Sequence, residues 1–91
     1  LEKENPNIDS ILFSTISSNL SVYYISVGDY KNSLDYGLKS LGYKLNKDVY
    51  DKVSITTSLN NVALSYFYNL DYENAEIYFL KSMSYIELKS K

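Results

Sequence analysis

Apolar residues along this chain recur at steps of three and four, the spacing that lines one face of an α-helix. Leu12, Ile16, Leu20, Tyr23, Tyr24 and Val27 form the first such run. Gly28 ends it, because glycine readily takes the left-handed conformation that closes a helix. Asp29 follows as an N-cap, its carboxylate placed to accept from the free amides of the next turn. A second run carries Tyr30, Leu34, Leu38, Leu41 and Leu45, and Asn46-Lys47-Asp48 punctuates it, with Asp48 as the next N-cap. The third presents Val49, Val53, Leu59, Val62, Ala63, Tyr66 and Leu70, and Asp71 caps a fourth with Tyr72, Ala75, Phe79, Met83 and Ile86. Pro6 and Asp9 mark the entry to the first helix. The pattern predicts an all-α fold of four antiparallel helices, near 9–27, 30–45, 49–69 and 72–89.

The pattern is also duplicated. Shifting the chain by 42 residues aligns 15–43 with 57–85, and 11 of those 29 positions are identical without a gap. They are Thr15/Thr57, Asn19/Asn61, Tyr24/Tyr66, Asp29/Asp71, Tyr30/Tyr72, Asn32/Asn74, Tyr36/Tyr78, Leu38/Leu80, Lys39/Lys81, Ser40/Ser82 and Tyr43/Tyr85. Other pairs keep their character, among them Leu20/Val62, Ser21/Ala63, Val22/Leu64, Ser33/Ala75 and Leu41/Met83. A fixed internal period is the signature of a stacked-repeat architecture. Each unit is a helical hairpin, unit one over 9–45 and unit two over 49–89.

The segments Asn-Leu-Ser-x-x-Tyr-x-x-x-Gly-Asp-Tyr-x-x-Ser at 19–33 and Asn-Val-Ala-x-x-Tyr-x-x-x-Leu-Asp-Tyr-x-x-Ala at 61–75 carry a resemblance. They resemble the tetratricopeptide repeat, which sets a small residue after an apolar one in its first helix. It then has a Tyr, a turn of the Gly-Asp-Tyr type, and a small residue early in its second helix. The resemblance implies an α-α superhelix in which Ser21 and Ala63, with Ser33 and Ala75, let the helices of each hairpin approach closely. The chain departs from that pattern in several places. Its period is 42 residues where the usual one is 34, about one extra turn per helix. The early aromatic is replaced by Ser17 and Leu59, the late large residue is Gly37 in unit one but Phe79 in unit two, and the terminal Pro is absent. Long repeats of this kind are similar to those of Gram-positive peptide-pheromone-sensing regulators and of the kinesin light chain.

Composition then limits the chemistry. At 91 residues with 45% apolar content, the chain is one small globular segment. It opens at Leu1 without a Met and ends in Lys-Ser-Lys, which reads as part of a longer protein. There is no Cys and no His, so thiolate chemistry, the commonest metal ligand and the commonest acid–base residue are all missing. No enzymatic activity and no cofactor or metal is expected, since the remaining Ser, Tyr, Lys and carboxylates fall in no catalytic motif. Asp29, Asp48 and Asp71 read as helix caps. All nine basic residues are Lys, and net charge is −2, so this segment lacks the clustered Arg-rich face of a nucleic-acid reader. No apolar run reaches the roughly 20 residues of a membrane span, no secretory signal is visible, and a cytoplasmic location is expected.

Charge is absent from Ser10 to Val27 and again from Ser54 to Leu70, and it gathers on the second helices and the linkers. In a stack of hairpins the first helices form the inner wall. On that wall Thr15, Ser18, Asn19 and Val22 form one strip, and Thr57, Asn60, Asn61, Leu64 and Tyr68 the matching one. The resemblance implies that this strip faces a groove and that Asn19 and Asn61 clamp a peptide backbone. An amide suits that task, offering one acceptor and two donors without a charge to desolvate. The acid-binding variant of the family sets Lys beside Asn. Here Ser18 and Asn60 stand there, so the resemblance implies a neutral or apolar peptide. Burial between flanking helices would equally exclude charge, and the amides could instead bond across the seam between units. The expected function is a peptide- or protein-binding module of a bacterial peptide-responsive transcription regulator. The alternative is a structural scaffold that forms a homo-oligomer through the uncovered last helix.

Overall fold

A computed structural model describes residues 6–46 and 52–90, with side chains placed over 9–46 and 52–86. It contains four α-helices: α1 Pro6–Ser26, α2 Tyr30–Leu45, α3 Lys52–Tyr68 and α4 Tyr72–Ser90. No strand occurs among the described residues. The expected ends of α2 hold, and α1 begins three residues earlier than expected, with Pro6 in its first turn. Asp48 and Val49 lie outside the described residues. α1 pairs with α2 and α3 with α4, while α2 packs against α3 to join the hairpins. α1 also touches α3, whereas α2 and α4 do not meet. The result is a slab of 44 × 37 × 15 Å.

The duplicated residues build the same turn twice. Gly28 has φ +83° and Leu70 φ +66°, so both α1 and α3 end in a left-handed residue. The Asp29 amide donates to the Tyr24 carbonyl at 2.8 Å, and the Asp71 amide to the Tyr66 carbonyl at 2.9 Å. Each aspartate then caps the following helix. Asp29 accepts from the Asn32 amide at 3.3 Å and from the Asn32 side chain at 2.8 Å. Asp71 does the same with Asn74 at 3.2 and 2.9 Å. Such a cap contributes about 1 kcal/mol. Across each hairpin the repeated tyrosines stack: Tyr24 on Tyr36 with centroids 5.7 Å apart, and Tyr66 on Tyr78 at 5.5 Å. Lys39 and Lys81 lie over the outer rings at 4.9 and 4.6 Å.

The interior differs from the amphipathic expectation. Leu41, Ile55, Leu59 and Val62 form an apolar core, flanked by Leu34, Leu38, Tyr66, Tyr78 and Tyr85. Beside it runs a seam of buried serines: Ser14, Ser17 and Ser21 on α1, Ser33 and Ser40 on α2, Ser58 and Ser65 on α3. Leu12, Ile16, Tyr23 and Val27, the expected packing face of α1, are exposed, as are Leu45, Val53, Leu70, Tyr72, Met83 and Ile86. The seam explains the inversion. Helices that touch through hydroxyls and hydrogens come closer than helices separated by leucines, and the larger side chains are turned outward.

Most of these hydroxyls bond within the seam. Ser40 Oγ lies 2.5 Å from Ser18 Oγ and 3.4 Å from both Ser14 Oγ and Ser58 Oγ. One proton and two lone pairs allow all three contacts at once. Ser21 donates to the Ser33 carbonyl at 2.7 Å, and Ser33 donates to Ser65 at 3.0 Å. Gly37 sits where the three helices converge. A Cβ there would meet Ser21 Oγ at 3.1 Å and Val62 Cγ2 at 3.3 Å. The absence of a side chain thus suits the close packing at this point. The pairs Ser21/Ser33 and Ala63/Ala75 are all buried and provide the close approach expected of them.

Two substitutions separate these effects. Gly37→Phe, which copies the repeat partner Phe79, is expected to lower unfolding free energy by about 3 kcal/mol or more through overpacking. Leu70→Gly relieves left-handed strain at an exposed position and is expected to raise it by about 0.5–1 kcal/mol. Urea denaturation followed by circular dichroism measures both.

Candidate functional site

The strip predicted from the sequence lies on α1 and α3, neighbouring helices with the same orientation. Thr15, Asn19 and Val22 are exposed on α1; Thr57, Asn60 and Tyr68 are exposed on α3, with Asn61 and Leu64 half-buried. The steps of three and four hold these positions on the side of each helix that faces neither hairpin partner. Ser18 behaves differently. It is half-buried and its hydroxyl is spent on Ser40, so it belongs to the seam rather than the open surface. Thr57 Oγ1 donates to its own helix at the Val53 carbonyl, 2.9 Å away, leaving lone pairs and a methyl outward.

The asparagines fall into two groups. Asn69 is structural: its side chain donates to the Tyr30 carbonyl at 2.9 Å and the Ser65 carbonyl at 3.0 Å, tying α3 to the start of α2. Asn19, Asn60 and Asn61 have no side-chain hydrogen bond to any described residue. Their amides do not link the units, and each keeps its donors and acceptor for an external group.

An aromatic cluster closes the strip at the C-terminal end of α3. Tyr68 stacks on Tyr30 at 4.8 Å, and Phe67 meets Tyr68 at 5.6 Å and Tyr72 at 5.4 Å. At the other end, exposed Ile11 and Val53 extend the two strips by one turn each. Ile11 is not singled out by the sequence pattern and Val53 falls on the expected apolar packing face of α3, although they stand four positions before Thr15 and Thr57. The phenol of Tyr66, behind the strip, has its pKa raised by burial, with the Tyr78 phenol and Asp71 carboxylate adding to the effect. It stays neutral in the physiological range, so no ionised group arises there.

Two hollows lie away from the centre of the strip. One, of about 230 Å³, opens at the first turns of α3 between Lys52, Val53, Thr56, Thr57 and Ile86. The buried Thr56 hydroxyl in its wall has no hydrogen-bond partner. The larger, about 500 Å³, lies between the end of α2 and α4 over Leu59, with Leu45, Ile77, Leu80 and Tyr85 in its walls. It exists because α2 and α4 both pack on α3 without meeting. No group of three or more His, Cys, Asp or Glu side chains that could hold a metal ion occurs among the described residues. No described helix is long and apolar enough to cross a membrane. No family model, curated protein or solved structure matches the chain.

The free amides make a measurable contrast. Asn60→Ala and Asn61→Ala are expected to change stability by less than about 0.5 kcal/mol, the range of surface substitutions. Ser65→Ala removes the Ser33 contact and is expected to cost about 1 kcal/mol. Urea midpoints of the three variants, compared at constant m-value, test this ordering.

Proposed function

We propose that this chain is a non-catalytic interaction module of the tetratricopeptide type whose neutral strip holds a short uncharged peptide. The observation that carries the reading is the set of unpaired amides, Asn19 on α1 with Asn60 and Asn61 on α3. They share a surface without a charged residue from Ser10 to Val27 or from Ser54 to Leu70. An extended peptide laid across the two helices would exchange main-chain hydrogen bonds with these amides. Its apolar side chains would rest on Val22, Leu64 and Tyr68. None of the strip residues is a cation that would hold a carboxylate-bearing terminus, which favours neutral and apolar ligands. The parent protein in this reading is a cytoplasmic, peptide-responsive bacterial transcription regulator. A helix-turn-helix segment encoded upstream of Leu1 would support that assignment.

Calorimetric titration with a panel of short peptides tests the strip. Uncharged apolar peptides are expected to bind, and Asn61→Ala or Asn19→Ala to weaken binding about 5–10-fold, the equivalent of one lost hydrogen bond. Peptides ending in acidic residues are expected to bind more weakly. The reading fails if no peptide binds, or if affinity is the same after both asparagines are replaced.

A further inference from the structure

The α2–α3 contact that joins the hairpins is a template for the outer faces of α1 and α4, which have no such contact among the described residues. In that contact Val62 rests on Gly37, Ser65 bonds Ser33, Ser58 approaches Ser40 and Tyr68 stacks on Tyr30. Lys44 Nζ also donates to the Ser54 carbonyl at 3.2 Å. Moving the α3 half back by the repeat offset of 42 places Leu20, Tyr23, Ile16, Ser26 and Leu12 at the same positions on α1. Moving the α2 half forward by 42 places Phe79, Ala75, Ser82, Tyr72 and Ile86 on α4. The outer faces of α1 and α4 therefore each carry one half of such an interface, with no partner among the described residues.

The two outer halves are altered in concert. Where α3 presents Ser58 and Ser65, α1 presents exposed Ile16 and Tyr23; the corresponding Ser82 and Ala75 of α4 are already buried, so its outer surface is formed by exposed Tyr72, Met83 and Ile86 with half-buried Phe79. Where α2 presents Gly37, α4 presents Phe79, opposite Leu20. The Lys44 contact with a carbonyl becomes Ile86 opposite Leu12, both exposed and apolar. Leu80 and Met83 widen the α4 stripe. Hydroxyl pairing in the middle of the chain has become apolar pairing at both ends. Glu76, in the place of Leu34, is the charge within that stripe.

We propose that copies of this chain associate head to tail, the outer face of α1 on one copy docking on the outer face of α4 on the next. The contact extends the established α2–α3 packing to a second molecule. Because the two faces differ, it is heterologous, and the repeat displacement leaves a free face at each end of every oligomer. Stacking in this way also carries the neutral strip from α3 of one copy to α1 of the next. The faces involved are separate from the strip residues, so assembly and peptide binding can fail independently.

Sedimentation of the 91-residue chain tests the geometry with face-blocking variants. The wild-type weight-average mass is expected to climb past that of a dimer as concentration rises. Ile16→Glu blocks the α1 face and Leu80→Glu the α4 face; each alone is expected to sediment as a monomer. An equimolar mixture is expected to form a one-to-one dimer and nothing larger, because each variant retains the face the other has lost. Circular dichroism verifies folding, and Tyr23→Glu with Met83→Glu forms a second pair if either variant unfolds. A wild-type monomer at all concentrations overturns the proposal. So does a single variant that still dimerises, which would indicate symmetric pairing, or a mixture that stays monomeric.

Discussion

The structure depends on how closely three helices meet at Gly37. Ser21 on α1 and Val62 on α3 both lie within reach of the point where a Cβ would stand. The seam on either side is lined by hydroxyls that bond one another across the helices. Serine contributes little burial energy, so what it supplies here is proximity and paired polar groups. A buried hydroxyl left unpaired costs about 1–3 kcal/mol, whereas a paired one contributes about 1 kcal/mol. The closed Ser14–Ser40–Ser58 and Ser21–Ser33–Ser65 chains therefore fix both the spacing and the register of α1, α2 and α3. A slip of one residue would replace bonded serines by larger neighbours such as Phe13, Leu41, Leu59 or Tyr66.

That close approach has consequences at the surface. Side chains that a leucine-packed bundle would bury are turned to the flanks, giving α1 and α4 their exposed apolar stripes. The faces of α1 and α3 that meet no partner keep neutral polar residues, with Asn19, Asn60 and Asn61 unbonded. One packing choice thus separates three surfaces: a neutral polar strip on α1 and α3, and the apolar outer faces of α1 and α4. The apolar hollow over Leu59 arises from the same arrangement, since α2 and α4 reach around α3 without meeting.

The four helices and their turns were legible in the sequence because their signals are local. Gly28, Asp29 and Asp71 sit at the breaks, and the duplicated residues build the same caps and tyrosine stacks in both units. The strip was legible for a similar reason, since runs without charge at helical spacing are visible in one dimension. The buried face of α1 was not. Apolar periodicity favoured Leu12, Ile16, Tyr23 and Val27, while the interior took Ser14, Ser17 and Ser21. A rule that sends apolar groups inward presumes that helices meet through bulky side chains. Here Ser14 pairs with the Ser40 hydroxyl and Ser21 with the Ser33 carbonyl on α2, compensation that one-dimensional periodicity does not register. The available signal was the three-, four- and seven-residue spacing of the serines themselves, as in Ser14, Ser17 and Ser21, Ser33 and Ser40, Ser58 and Ser65. Ser18 shows the same effect, since its neighbours on the strip are open while its hydroxyl turns toward Ser40.

The central claim is that contact distance at Gly37 sets the helix spacing, and a double-mutant cycle tests it most directly. Gly37→Ala adds a methyl group in a crowded position, partly offset by the better helix propensity of alanine, worth about 0.5–1 kcal/mol. Val62→Ala removes the methyls that this group would strike. The account predicts that Gly37→Ala is more favourable in the Val62→Ala background than in the wild type by about 1 kcal/mol or more, the coupling expected of residues in contact. Equal effects of Gly37→Ala in both backgrounds would contradict it.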